Sequence, residues 1–318
     1  MSGLELRPFS DEHLEGASAL LAARHARHRQ AEPLLPALFE EPTAAREQIE
    51  ALWRREGAVG AVAFRQDRLV GYLVGAPADD SIWGANEWVE LAGHAVEDAE
   101  LVRDLYGAAA ERWLAEGRGR HYVVVPAWDG SLLDAWSRLS FGRQHAYGIR
   151  EVPDVGWPDG ARRAEPRDLE ALLELAPLLA RHQLLSPVFS ARPFDDDVDK
   201  LRAEIETEIA AEEIGSLVFE RDGRIVGEFM VVPLAMSSLH VGLARPQEAC
   251  FLGHAVTVPE VRGSGAGLAL TQASFAWARD RGYPAIVTDW RVTNLLSSRF
   301  WPRRGFRETF LRLYRSIP

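Results

Sequence analysis

The chain repeats itself once, at a spacing of roughly half its 318 residues, and this constrains the architecture more than any other feature. Gly93-His94-Ala95-Val96 returns letter for letter as Gly253-His254-Ala255-Val256. Trp136, Phe141 and Arg150 return as Trp301, Phe306 and Arg315 with the same internal spacings. Asp67-Arg68-Leu69-Val70-Gly71 answers Gly223-Arg224-Ile225-Val226-Gly227, each a tight turn between strand-like runs and so a predicted hairpin. Arg27-His28 answers Arg181-His182, and the strand-then-helix opening at Leu4–Leu14 answers the one at Ala161–Leu169. Two copies of one fold in tandem follow: a first domain over 1–152, a linker over 153–160 rich in Pro, Gly and Asp, and a second domain over 161–318.

The copies differ most over Val256–Leu270, VTVPEVRGSGAGLAL. Val256, Thr257 and Val258 are β-branched and strand-like, and Pro259 ends the ladder. Gly263, Ser264, Gly265, Ala266 and Gly267 are all small, and an alanine-rich helix follows until Gly282 stops it. Small residues at a helix N-terminus present backbone N–H groups to an anion, and Arg262 adds a positive charge at the lip. The pattern predicts a pyrophosphate seat. A nucleoside-triphosphate loop would need Gly-Lys-Ser/Thr, and no Lys is present. The dinucleotide fingerprint fails because Leu268 stands at its third glycine, although Asp289 mimics the ribose-binding acid.

The remaining pattern is R-x-x-G-x-G, spelled Arg262 to Gly267. With the strand Ala285–Thr288, Asn294, a short helical segment, Trp301, Gly305-Phe306 and a last strand from Thr309, it resembles the GNAT superfamily of acyl-CoA-dependent N-acyltransferases. The resemblance covers Gly253–Arg315 without a gap. It implies an α/β fold of two tandem GNAT-like domains, each a mixed, mostly antiparallel sheet flanked by helices. It implies acetyl-CoA as cosubstrate and transfer of its acetyl group to a small primary amine. It also implies that the strand before the loop splays from its neighbour, so that the backbone of Val256, Thr257 and Val258 meets the pantetheine arm. Asn294 completes the implied CoA-binding set. The first copy has Arg103-Asp104-Leu105-Tyr106-Gly107-Ala108 at the loop position, where Leu105 and Tyr106 are read as bulk that obstructs a phosphate. The N-terminal copy is therefore expected to be degenerate.

An amine must be neutral to attack, so a group must take its proton. His254 titrates near neutrality and shares a strand face with Val256, but His94 at the matching place in the first copy offers shared packing as the competing explanation. Glu228, answered by Tyr72, is peculiar to the second copy; it is either a cleft carboxylate or an edge residue facing solvent. Trp301 stands where many GNAT members carry a Tyr as general acid, and indole cannot serve in that way. Tyr283 and Tyr314 are other tyrosines nearby in sequence. Asp195, Asp196 and Asp197 either frame the acceptor or start a helix.

A formal net charge of −11 argues against nucleic acid as the main partner. The single cysteine, Cys250, leaves no intramolecular disulfide. MSGLELRPF has no signal-peptide pattern, no apolar run is long enough to span a membrane, and no metal-ligand spacing is present. A cytoplasmic acetyltransferase is the expectation. The other function class that fits is a non-catalytic acyl-CoA-binding sensor or carrier, which Trp301 favours.

Overall fold

The computed structural model describes residues 3–79, 83–189 and 197–318. Its contacts divide the chain into two compact units: residues 1–146, 241–247 and 308–318 in unit 1, and residues 147–240 and 248–307 in unit 2.

Unit 1 runs β1 (Leu4–Pro8), α1 (Leu14–Ala31), α2 (Pro42–Trp53), β2 (Val59–Arg65), β3 (Arg68–Gly75), β4 (Asn86–Val89), β5 (His94–Val96), α3 (Leu101–Ala115), β6 (Arg120–Pro126) and α4 (Gly130–Arg138). Its strands form β1-β2-β3-β5, with antiparallel ladders, and β4-β6, the latter joined by the chain's last strand, β13 (Arg307–Ser316). β7 (Gly142–Glu151) has its latter half in unit 2, which continues through β8 (Ala161–Arg163), α5 (Leu169–Leu175), α6 (Pro177–Leu184), α7 (Val198–Ala210), β9 (Gly215–Arg221), β10 (Arg224–Pro233), β11 (Ala249–Thr257), α8 (Ala266–Asp280), β12 (Ala285–Arg291) and α9 (Ser297–Phe300). The strand order of unit 2 is β7-β12-β11-β10-β9-β8. β13 (Arg307–Ser316) pairs antiparallel with β6, from Phe310↔Pro126 to Ser316↔Arg120. The fold is α/β with mostly antiparallel pairing.

Both predicted hairpins are present. Their turns use left-handed residues, Gln66 and Asp67 (φ 51° and 60°) and Asp222 and Gly223 (φ 52° and 74°), which match the twist of paired strands. One face of the unit 2 sheet is covered by α5 and α7. Leu172, Leu175 and Ile205 pack there on Val218, Val256 and Val258, so the β-branched side chains before the glycine loop are core. The other face carries α8 and an aromatic group: Trp301 is 4 % exposed and lies edge-on to Phe300 and Phe306, 4.9 and 5.4 Å between centroids, and 5.8 Å from Phe229. Among the described residues no helix is long and apolar enough to cross a membrane.

Candidate active site

The site begins where two parallel strands part. β11 pairs with β12 only from Ala249↔Ala285 to Leu252↔Thr288. Thr288 Oγ1 donates to Leu252 O at 2.9 Å and closes the apex. Beyond it β11 runs on to Thr257 with β10 as its sole strand partner among the described residues. Val258 N–H donates to Val226 O at 2.9 Å, and the alternation of an antiparallel ladder then commits Val256 to Glu228. The backbone groups of Ala255 and Thr257 turn the other way, into the wedge between the strands. Within the stretch Val256–Val258, the structure therefore leaves Thr257 facing the wedge, and Ala255 joins it.

The wedge leads to the glycine loop. Gly263 and Gly265 have φ of 82° and 98°, left-handed values that an L side chain adopts only with strain, and open space lies where a Cβ would project. Gly265 is the N-cap of α8 and no side chain caps the helix, so the N–H groups of Ala266, Gly267 and Leu268 occupy its first turn uncapped. Ser264 N–H bonds back to Val261 O at 3.1 Å, and Ala266 is a core residue that contributes backbone alone. Arg262 is exposed, and its guanidinium has no partner among the described residues. Backbone donors, a helix dipole and an exposed cation are the chemistry that an anion such as a pyrophosphate would require.

Glu228 is not at an edge. β10 lies between β9 and β11, and Glu228 is 8 % exposed opposite Val218 and Val256. Cross-strand partners share a face, so Glu228 points toward α5 and α7. Ser216 Oγ donates to its Oε1 at 2.9 Å. Burial pushes its carboxyl up to about 7, against the lowering effect of Ser216. Glu208 on α7 is also pushed up to about 7, by burial first and then by the charges of Glu228 and Glu204. His254 pairs with Met230 and so lies diagonally from Glu228 on the same face, as strand alternation predicts. It is half-buried, its ring makes no hydrogen bond among the described residues, and burial holds it down to about 4. An imidazole in that state is neutral at pH 7. His94, its repeat partner, is fully buried, with Nε2 3.2 Å from Val124 O. The two histidines share a sequence motif and not an environment.

Asn294 performs a capping job. Its Oδ1 accepts from Leu296 N–H at 3.1 Å and Ser297 N–H at 3.5 Å, and lies 3.2 Å from His182 Nε2. Asp129, its counterpart, accepts from Leu132 N–H at 3.0 Å in the same manner. The Asn294 amide nitrogen makes no hydrogen bond among the described residues. Asp197 is the N-cap of α7, accepting from Lys200 N–H at 3.1 Å, whereas Asp195 and Asp196 lie outside the described residues. Tyr283 is stacked on Trp277 beyond the C-terminus of α8, at the opposite end of that helix from the glycine loop, and Tyr314 packs on Tyr122 in unit 1.

In unit 1 the reading of Leu105 and Tyr106 as phosphate-blocking loop residues is overturned. Arg103–Ala108 lie inside α3, and Leu105 and Tyr106 are core, 0 % and 4 % exposed. Two other features replace the seat. The start of α3 is acidic: Asp98 accepts from Glu100 N–H at 3.1 Å, and Glu100 pairs with Arg103 at 3.0 Å. The strand matching β11 is broken into β4 and β5, and the buried Arg24 guanidinium donates to Leu91 O at 2.5 Å and to His94 O across the break. Leu178 is the residue at the corresponding place in the second copy and has no guanidinium to make such a plug. Sequence comparison missed Arg24, Ser216, Glu208 and the His182–Asn294 contact. For Arg24 the available signal was its change to Leu178 within the repeat, and for His182 its match to His28.

Residues 179–306 match the model of the acetyltransferase (GNAT) family. A GCN5-related N-acetyltransferase from Sphaerobacter thermophilus matches the structure at 17 % identity and a TM-score of 0.56, over 98 % of this chain and 95 % of that one. The glucosamine N-acetyltransferase region of a fungal multi-domain GH3 β-N-acetylglucosaminidase matches at 15 % identity and 0.52, over 99 % of this chain and 38 % of that one. A tandem GNAT protein from the clavulanic acid biosynthesis pathway matches at 15 % identity and 0.47, over 99 % of each chain. No curated protein sequence matches.

Proposed function

We propose that this chain, which carries a GNAT domain over residues 179–306, is an acetyl-CoA-dependent N-acetyltransferase acting on a small primary amine, with CoA held by the C-terminal copy (161–318). The observation that supports it most is the continuity of the wedge with the glycine loop. A pyrophosphate on the N–H groups of Ala266, Gly267 and Leu268, beside Arg262, Gly263, Ser264 and Gly265, directs the pantetheine arm along the Ala255 and Thr257 backbone toward the apex at Leu252 and Thr288. The arm is amide-rich, and strand-like pairing with exposed backbone suits it.

On this reading Glu228 takes the proton that an ammonium substrate brings in. A carboxyl raised to about 7 is matched to that task near neutral pH. His254, neutral and on the same face, with no hydrogen-bond partner among the described residues, lines the acceptor side and keeps a second charge away from the nucleophile.

Calorimetric titration with acetyl-CoA tests the reading. One site per chain is expected, and Gly265→Val abolishes it, because a β-branched residue resists a φ of 98° and projects into the open cradle. Gly107→Val, on an open face of α3, leaves affinity unchanged. Two equivalent sites, or equal loss in both variants, overturns it. One observation favours the non-catalytic sensor as the second reading: Trp301 is sealed in an aromatic core and puts no hydroxyl at its position. Tight acetyl-CoA binding without thiol release across a broad amine panel would move the assignment to that reading.

A further inference from the structure

We infer that His182 shuttles a proton from the attacking nitrogen to the departing sulfur, an inference that rests on the acyltransfer reading above. The argument starts at Asn294. Two backbone N–H groups, of Leu296 and Ser297, converge on its Oδ1, so that atom is the oxygen and not the amide nitrogen. An amide oxygen only accepts, and therefore His182 Nε2, at 3.2 Å, carries the hydrogen. The Nε2–H tautomer has its lone pair at Nδ1, which makes no hydrogen bond among the described residues. An imidazole held in one tautomer by a third group, with the other nitrogen open, is the arrangement of an oriented base.

Its place in the fold agrees. α6, which carries His182, packs against β11, while Asn294 follows the end of β12. The bond between them therefore links an element packed on β11 to the loop that follows β12, the two strands that part beyond Leu252 and Thr288. The repeat partner in unit 1 has lost the geometry: His28 is 2 % exposed and lies edge-on to Phe310, 4.7 Å between centroids.

The step balances within the site. The neutral amine attacks the thioester carbonyl, a C–N bond forms, and the nitrogen holds one proton in excess. Nδ1 takes that proton. As the C–S bond breaks, the imidazolium returns it to sulfur, and CoA leaves as the thiol with the ring neutral again. Glu228 has the separate task of neutralising the incoming ammonium. A hydroxyl at position 301 is then not required.

The test uses the full chain with labelled histidine, the His182 resonances being identified by their absence in His182→Gln. The Nε2–H tautomer is expected in the free protein. CoA, with its thiol, shifts the Nδ1 resonance and its titration, whereas desulfo-CoA, bound equally by calorimetry, leaves them as in the free protein. With an amine that the wild type turns over, His182→Gln keeps a donor for Asn294 and lowers kcat by about 100-fold at constant KM for acetyl-CoA. An acetyl thioester of a more acidic thiol recovers most of that loss. An Nδ1–H tautomer, or identical His182 titration with CoA and desulfo-CoA while both bind, overturns the shuttle and leaves the acyltransfer reading standing. If CoA does not bind at all, that reading fails and the shuttle falls with it.

Discussion

Glu228 costs the folded protein stability near neutral pH. Its carboxyl titrates near 4.5 in an open chain and near 7 in the fold, so above pH 4.5 the unfolded state ionises more readily. The penalty grows as pH rises from 4.5 to about 7 and is constant above that. The shift corresponds to on the order of 3 kcal/mol at about 1.4 kcal/mol per pH unit. Glu228→Gln should therefore raise the melting temperature at pH 8 and leave it unchanged at pH 4, while Ser216 keeps an acceptor. The same variant should lower amine acetylation at least 100-fold at unchanged acetyl-CoA affinity. Melts at the two pH values, run beside calorimetry, decide the matter; equal melting shifts at both would mean that the carboxylate is not strained by burial.

At the scale of elements, α1 shows what the first copy has become. It carries Arg24, His25 and His28, all buried, and it faces His94 of β5. Burial holds the three imidazoles at about 4, 3 and 3, with the charge of Arg24 adding to the effect. A histidine whose folded value lies below its unfolded 6.5 stabilises fully above pH 6.5 and loses that contribution as pH falls toward the folded value. Each imidazole contributes about 1.4 kcal/mol per pH unit in that window, so unit 1 should become acid-labile between pH 6 and pH 4. Hydrogen exchange read separately over α1 and over α8 should show α1 opening first on acidification. Uniform opening would show that these histidines find other compensation.

At the scale of the molecule, the two compact units do not follow the order of the chain. The segment 308–318 belongs to unit 1, where Phe310, Leu311 and Leu313 are buried on β13 beside β6. Residues 147–152 belong to unit 2, where Val152 N–H donates to Pro284 O at 2.9 Å and Glu151 holds Arg307 at 2.8 and 2.9 Å. Cutting at the proposed linker, 153–160, therefore separates each unit from a strand it needs. Fragments 1–152 and 161–318 should each lack a cooperative melt alone and regain it when mixed. A cooperative, CoA-binding 161–318 fragment would show that the exchanged strands are dispensable.

The sequence alone determined the duplication, the hairpins and the glycine-rich start of α8. These depend on local periodicity and on residues whose backbone preferences act within a few positions. It left Glu228 divided between cleft and edge, and His254 divided between packing and chemistry, because both questions turn on which strands lie alongside. Leu105 and Tyr106 were misread for a related reason: the letters align with a loop, but the first copy starts its helix earlier. The wedge at Leu252 and Thr288, the Arg24 plug and the His182–Asn294 bond were decided by tertiary structure. Each joins residues at least 36 positions apart, and no periodicity reports which distant backbone group an arginine or an imidazole will reach.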